Sequence, residues 1–185
     1  MDWLSTIVGA LIGFLSSLGI IVAERMIARF GRIKVFVKMV HDCSFGNITW
    51  GFQDMGDGVF LYVPLWIELQ NLSDATRVIR DVNLILYNDD VRVAEMRQIN
   101  RSLRDGNEFL YANNGSYSFS LEPRCVAQYE CEFVLRRDEH VECFNKIKLR
   151  YFDEKGKEVI FNLGSVNGNW EVGEFNNLGN WKELF

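Results

Sequence analysis

The sequence contains few of the residues that most catalytic and metal sites require. Its 185 residues include two histidines, four cysteines and two prolines. Four cysteines do not form a disulfide-dense scaffold in a chain of this length, and the cytosol keeps such cysteines reduced. No G-x-S-x-G, P-loop or strand-linked G-x-G-x-x-G motif is present, so the motifs of hydrolases, NTPases and dinucleotide-binding enzymes are missing. We therefore expect no catalytic residues, no cofactor and no enzymatic activity.

The histidines and cysteines do not predict a metal site. His41 with Cys43 and His140 with Cys143 supply two nitrogens and two sulfurs, which are the donors of a tetrahedral zinc site. Their separation differs from the spacing of zinc fingers and zinc ribbons, so we expect no metal.

The charge balance is acidic, with a formal net charge of -5 and a pI near 5.1. A protein that coats nucleic acid needs a basic surface, so duplex nucleic acid is not an expected partner. Aromatic residues make up 14% of the chain, whereas disordered chains are poor in aromatics. The composition predicts a folded domain.

A long uncharged segment lies near the N-terminus, at residues 3–23. A helix of this length spans roughly 31 Å, which matches the hydrocarbon core of a bilayer. Only Met1 and Asp2 precede it, so it lacks the basic region of a cleaved signal peptide, although Ser17-x-Gly19 resembles a cleavage site. The segment predicts one transmembrane helix, with membrane lipid as a partner.

Basic residues follow this segment, and none precedes it; they are Arg25, Arg29, Arg32, Lys34 and Lys38. The positive-inside rule then predicts the cell inner membrane, with the N-terminus outside and the C-terminal domain cytoplasmic. The helical pattern continues to Gly31, where we expect it to stop. We assign residues 1–32 to the helix and a basic stub that rests on anionic headgroups.

Small side chains recur at every fourth position of the helix, at Ser5, Gly9, Gly13 and Ser17. Such a stripe lets two helices approach closely, which predicts a homo-oligomer. The alternative is that glycine is simply common in membrane helices.

From Ile33 onward the hydrophobic period changes to two, which is typical of strands. The predicted strands are 33–40, 48–53, 59–70, 78–87, 91–98, 117–121, 126–135, 146–152 and 158–163. The predicted turns are 54–58, 88–90, 113–116 and 153–156. Short antiparallel strands without helices predict an immunoglobulin-like β-sandwich over residues 33–163, with a small β-barrel as the alternative.

Alternation also assigns the predicted strands two faces. The core face carries Val63, Leu65, Ile67, Leu69, Val82, Leu84, Leu86, Tyr129, Cys131, Phe133, Leu135, Ile147, Leu149 and Tyr151. Lys146, Lys148 and Arg150 are predicted on a solvated face, with Glu158 as a cross-strand partner. Cys125 and Cys131 are too far apart along one strand to form a disulfide.

Two further features are candidate binding sites. Arg97, Arg101 and Arg104 are close in sequence, and guanidinium groups suit the phosphates of a small nucleotide ligand. The alternative is a solvated loop or a contact with anionic lipid. The tail, residues 164–185, is expected to pack on the sandwich, and its Trp170 and Trp181 either cover a sheet edge or contact a partner.

Several segments carry a resemblance to known proteins: VPLWIELQNLS at 63–73, VIRDVNL at 78–84, LEP at 121–123 and the hairpin at 147–163. They resemble small, uncharacterised bacterial single-pass membrane-anchored β-sandwich proteins. More distantly, the layout resembles membrane effectors of bacterial antiphage nucleotide-signalling systems, whose domain senses a nucleotide. Several of those effectors have two or more membrane helices, so a single helix would form a pore only in an oligomer.

These features support two hypotheses of function. One is an oligomeric sensor and effector, in which the sandwich binds a signal and the helix produces the response. The other is a membrane adaptor, which recruits a protein partner through the sandwich edge or the aromatic tail.

We predict that the protein resists carbonate extraction from membranes and that its C-terminus faces the cytoplasm, because basic residues follow the span. A reporter that is active only in the periplasm, fused after Phe185, should be inactive. An active reporter would contradict this topology.

Overall fold

The computed structural model describes residues 3–29, 31–39, 51–54, 56, 58–104, 107–112, 117–138, 143–166 and 180–185. Its first element is the helix α1 (Trp3–Arg29). Residues Ile7–Met26 of α1 have a mean hydropathy of 2.1, and none of this segment is buried in the protein. The helix is therefore long and apolar enough to cross a membrane, and it ends two residues before Gly31, close to the predicted stop.

The domain after α1 is built from strands in two antiparallel sheets. The strands are β1 (Ile33–Met39), β2 (Gly51–Asp54), β3 (Val59–Asn71), β4 (Arg77–Asn88), β5 (Val91–Glu95), β6 (Arg97–Arg104), β7 (Asn107–Ala112), β8 (Phe119–Leu121), β9 (Val126–Arg136), β10 (Lys146–Phe152), β11 (Glu158–Ser165) and β12 (Lys182–Leu184). One sheet has the order β12-β1-β3-β9-β6-β7, with β2 beside β3. The other has the order β11-β10-β4-β5, with β8 beside β4. The predicted β-sandwich is confirmed, and the barrel alternative is not.

The core lies between the two sheets and contains the side chains that alternation assigned to it. Every predicted core residue is buried, except Tyr129, which is half-buried against the core. Large side chains such as Leu65 and Phe133 are fully covered. Because burying one such side chain stabilises a protein by roughly 1.5–3 kcal/mol, this apolar layer holds the sheets together.

The predicted strand at residues 91–98 is two strands that belong to different sheets. β5 pairs with β4, and β6 pairs with β9. The chain crosses between the sheets at Met96, which is buried and donates its backbone N–H to Leu84 O at 2.9 Å. No glycine or proline marks the crossing, so the sequence pattern did not reveal it.

Two strands were not predicted, and some predicted segments lie outside the described residues. β7 and the end of β6 lie in residues 99–112, where the sequence predicts no strand, and β12 lies in the tail. The described residues do not include 40, 48–50 or 113–116, on which two predicted strand ends and one predicted turn fall.

Three predicted turns are observed. Asp54 Oδ1 accepts a hydrogen bond from Gly56 N at 2.9 Å. Asp153 Oδ1 accepts two, from Lys155 N at 2.9 Å and Lys157 N at 2.8 Å. Asp89 adopts a left-handed φ of 53° between β4 and β5. Short acidic side chains stabilise these turns by bonding the backbone that follows them.

The prediction that Arg150 lies on a solvated face is wrong. Arg150 is only 5% exposed, and its Nη2 donates to Asp81 Oδ2 at 2.7 Å and to Glu95. Ile85, on the same outer face of the sheet, is fully buried, so this face is covered. A buried guanidinium requires carboxylate partners. The expected cross-strand partner, Glu158, lies instead 3.6 Å from Arg92.

Asn71, at the end of β3, organises one end of the sandwich. Its Nδ2 donates to Ala75 O at 2.9 Å, Leu121 O at 3.2 Å and Glu122 O at 2.9 Å. Its Oδ1 accepts from Ser73 N at 3.0 Å and Ser73 Oγ at 2.7 Å. The side chain is 1% exposed and therefore joins the β3–β4 loop to the segment after β8 without water.

We predict that Asn71→Ala lowers the free energy of unfolding by about 2–3 kcal/mol, because it leaves buried carbonyl groups without donors. Urea titration of the purified protein in detergent, followed by tryptophan fluorescence, measures this change. The control is Asn162→Ala, at an exposed position, which should change stability by no more than about 0.5 kcal/mol. Equal effects of the two substitutions would contradict the assignment.

Candidate functional site

The joint between α1 and β1 is short, and its residues Gly31 and Arg32 contact the β3–β4 loop. Only residues 30–32 separate the two elements. Gly31 has a φ of +133°, and a Cβ there would lie 2.7 Å from Leu72 O. Leu72 N donates to Arg32 O at 3.3 Å. The joint therefore requires glycine, both for its conformation and for its contact with the β3–β4 loop.

Arg77 connects this joint to the rest of the domain. Its Nη2 donates to Gly31 O at 3.3 Å, and its Nε donates to Ser73 Oγ at 3.1 Å. Its Nη1 forms an ion pair with Glu154, in the β10–β11 turn. One partly buried guanidinium thus connects the joint, the β3–β4 loop and the β10–β11 turn.

A cleft of about 400 Å³ lies beside Arg77 and is lined by Ala75, Thr76, Arg77, Glu154 and Lys155. Nearby, Arg124 Nε donates to Asp74 Oδ1 at 2.6 Å. This hydrogen bond lowers the pKa of Asp74 and raises the pKa of Arg124. Both groups are exposed at the same end of the sandwich as the joint.

The three candidate ligand-binding arginines lie on β6, not in a loop. β6 has β9 on one side and β7 on the other. Successive strand residues alternate between faces, so the positions of Arg97 and Arg101 share a face and the position of Arg104 falls on the other. Arg97 is exposed. The register thus brings two of the three positions together.

The small-residue stripe lies on α1 as predicted from its spacing. Among the described residues, no atom other than the adjacent backbone of α1 lies within 4 Å of a Cβ built on Gly9, Gly13 or Gly19. Ser17 Oγ donates to Gly13 O at 2.9 Å, which satisfies the hydroxyl within its own helix. The backbone at Gly9 and Gly13 is therefore open to a neighbouring helix.

Of the two tail tryptophans, Trp170 lies outside the described residues, and Trp181 directly precedes β12. Trp181 is 37% exposed. β12 pairs with β1, where Leu184 lies opposite Val35, and Lys182 Nζ donates to Leu163 O at 3.0 Å in the other sheet. Trp181 is thus placed at the edge of the larger sheet.

Arg150 and Gln98 belong to a polar cluster that the sequence did not predict. Gln98 Nε2 donates to Val82 O at 2.7 Å and to Asp81 Oδ1 at 3.1 Å. Asp81, with a φ of 52°, lies where the register of β4 and β10 shifts. Among the described residues, Gln98 Oε1 and Arg150 Nε are buried without a hydrogen-bond partner.

No group of three or more histidine, cysteine, aspartate or glutamate residues suited to a metal occurs in the described part of the chain. His41, Cys43 and His140 lie outside that part, so the histidine–cysteine set is not observed. The described cysteines are free thiols. Burial raises the pKa of Cys131 to about 12, so its thiol stays protonated at neutral pH.

We predict that Cys131 resists alkylation in the folded protein, whereas Cys143 reacts, because Cys131 is buried and Cys143 is exposed. Iodoacetamide treatment at pH 8 followed by peptide mass spectrometry measures both. At that pH about one Cys131 thiol in ten thousand is ionised. Urea should make the two cysteines equally reactive, and equal labelling without urea would contradict the burial of Cys131.

The sequence indicated parts of the joint but not the joint itself. The sequence predicts Gly31 as a helix stop, whereas no pattern in the sequence indicates a role for Arg77. Asn71 carried no signal, because its role depends on carbonyl groups about 50 residues away. The position of Gly31 directly between a predicted helix and a predicted strand is the sequence feature that could have indicated this close backbone contact.

Comparison with known proteins shows a family and a distant structural likeness. A family model described as the YopI Ig-like domain matches residues 53–163. No curated protein matches the chain. An X-ray structure of Northeast Structural Genomics Consortium target SoR45 is similar, with a TM-score of 0.35 and 13% identity over 74% of this chain and 83% of that chain. The family match runs from β2 to β11, over more than half of the chain, and the chain therefore belongs to the YopI Ig-like domain family.

Proposed function

We propose that this protein is an oligomeric sensor and effector anchored in the bacterial inner membrane. In this proposal the cytoplasmic β-sandwich binds a phosphate-bearing signal of the small-nucleotide class, as in antiphage signalling. The helix α1 carries the response into the membrane. The protein performs no catalysis.

The joint between α1 and β1 is the observation that carries the proposal. A protein that only needs a tether can use a flexible linker, typically rich in glycine and serine. Here Gly31 contacts the Leu72 backbone, and Arg77 bonds Gly31 O. These contacts hold the chain on the sandwich two residues after the end of α1. A movement of the sandwich would then act on α1 over a short distance, which a sensor needs and a tether does not.

The signal would bind on β6, where the positions of Arg97 and Arg101 share a face. Two positions four residues apart on one strand face are spaced roughly 13 Å apart along the strand, at 3.3 Å per residue. Phosphates at both ends of a dinucleotide, or phosphates from two ligands, suit such a spacing better than one phosphate does. Arg104 then contributes charge from the other face of β6.

The response would arise from the packing of α1 against α1 of other copies. The open backbone at Gly9 and Gly13 allows close approach of a neighbouring helix. A single helix cannot enclose a pore, so an effect on the membrane requires an oligomer. Lipid and other copies of this chain are the expected partners.

The adaptor hypothesis is the second candidate, and the position of Trp181 favours it. This side chain remains 37% exposed beside the edge strand β12. Aromatic residues at sheet edges are common contacts for protein partners. In an adaptor the joint and the helix stripe have no role beyond attachment.

We predict that six Gly–Ser residues inserted between Phe30 and Gly31 abolish the growth arrest or defence phenotype of cells that express the protein, because the insertion separates α1 from the sandwich. The same insertion between Asp89 and Asp90, in the β4–β5 turn, is the control and should preserve the phenotype. Membrane levels of both variants should equal those of the parent. A phenotype that survives the first insertion would favour the adaptor.

The helix can be tested in the same assay. Gly9→Leu with Gly13→Leu should weaken cross-linking between copies and abolish the phenotype, since leucine pushes the helices apart. Gly19→Leu makes one such change on another face of α1 and should preserve both the cross-linking and the phenotype. In the adaptor, Trp181→Ala would break recruitment, and the leucine pair would be tolerated.

A further inference from the structure

We propose that the end of the sandwich next to α1 is itself a lipid-binding surface that lies on the headgroups of an anionic bilayer. This surface, the proximal end, consists of Arg32, residues 72–80, residues 122–126, residues 153–157 and Phe185. The inference rests on the proposed membrane anchoring of α1. It goes further, because it gives the domain a lipid contact that is separate from the helix.

The depth of the joint is the first argument. The uncharged segment of α1 ends at Ala23, and α1 itself ends at Arg29. At about 1.5 Å per residue, these six residues place Arg29 roughly 9 Å beyond the hydrocarbon core. The headgroup layer is about 5–8 Å thick on each side of the core, so α1 ends close to its outer boundary, two residues before Gly31.

The contacts of the joint hold the proximal end at this depth. Leu72 N bonds Arg32 O, and Arg77 bonds Gly31 O, both at 3.3 Å. Arg77 also pairs with Glu154, which brings in the β10–β11 turn. Arg124 bonds Asp74, which brings in the segment after β8. Loops from three places in the sequence therefore face the membrane together.

The distribution of exposed apolar residues is the second argument. In the described residues after α1, seven large hydrophobic side chains are exposed: Leu72, Val78, Val91, Val126, Ile160, Trp181 and Phe185. Four of the seven belong to the proximal end, namely Leu72, Val78, Val126 and Phe185. Phe185 is 89% exposed, and its neighbour Leu184 pairs with Val35 near the start of β1. Aromatic and apolar side chains at this depth enter the membrane interface.

The distribution of charge is the third argument. The proximal end carries six cationic and four acidic side chains, a net side-chain charge of +2, while the whole chain has -5. The cationic residues are Arg32, Arg77, Arg80, Arg124, Lys155 and Lys157, and the acidic residues are Asp74, Glu122, Asp153 and Glu154. Asp74 and Glu154 are held by arginines. Anionic lipids attract such a basic surface within a Debye length.

The cleft beside Arg77 opens on the same end of the sandwich. Thr76 and Lys155 line it, and their hydroxyl and ammonium groups are donors for the phosphate of a lipid headgroup. A lipid phosphate is therefore the chemical group that we expect in this cleft.

The experiment uses the full chain in vesicles of phosphatidylcholine with phosphatidylglycerol, some lipids carrying a headgroup nitroxide. Cys43, Cys125 and Cys143 are replaced by serine. A fluorophore is then attached through Val126→Cys at the proximal end or through Val91→Cys at the opposite end. We expect at least threefold stronger quenching at residue 126 than at residue 91.

Charge reversal identifies the lipid. Lys155→Glu with Lys157→Glu should at least halve the quenching at residue 126, as should vesicles of phosphatidylcholine alone. Arg137→Glu, at the opposite end, is the matched control and should have no effect. If quenching at residue 126 is the same with and without phosphatidylglycerol and is unchanged by Lys155→Glu with Lys157→Glu, anionic lipid is not the partner.

A label at Ile12→Cys, with an acyl-chain nitroxide, reports insertion of α1 independently. If this label is quenched while the labels at residues 126 and 91 are quenched equally, the proposed lipid-binding surface is contradicted and the membrane anchoring of α1 is supported. If this label is not quenched, α1 is not inserted, and both the anchor and the surface are wrong. Circular dichroism of each labelled variant verifies that the sandwich is folded.

Discussion

The backbone of Gly31 lies so close to Leu72 that no side chain fits between them, and the path of the chain into the sandwich depends on this contact. A Cβ on Gly31 would come within 2.8 Å of backbone atoms of Leu72 and Ser73, which cannot move aside as a side chain can. Asn71 holds that backbone in place through hydrogen bonds on both sides of its amide. The position of the chain just before β1 is therefore set by contacts with the segment that follows β3.

A second buried polar group, Arg150, lies on the outer face of the smaller sheet, where removing its charge from water costs free energy. Arg150 is removed from water and compensated by Asp81 and Glu95, which come from β4 and β5. Replacing such a group with apolar residues often costs nothing, whereas removing one partner is strongly destabilising. Gln98 extends the network from β6, in the other sheet, to Asp81. The cluster thus links the two sheets by polar contacts in addition to the apolar packing between them.

The sequence predicted the parts of the fold that follow from local periodicity. Alternation in β3, β4, β9 and β10 identified the core because each strand has one apolar face. The crossing between sheets at Met96 was not predicted, because the alternation of apolar residues continues through it. The burial of Arg150 was not predicted either, because the face of a sheet opposite the core is usually solvated, whereas here Ile85 and Arg150 are covered. The joint was not predictable, because Asn71 meets residues 121–122 only after the sheets have formed.

The topology also limits how a ligand on β6 could act on α1. β6 pairs with β9, β9 pairs with β3, and β3 ends at Asn71 beside the joint. This path is continuous hydrogen-bonded sheet, and coupling between two sites needs an element with two discrete arrangements. In the proposed sensor we place that element at the contact between copies or between the sandwich and the membrane. A ligand bound at Arg97, which is exposed on β6, would alter such a contact directly.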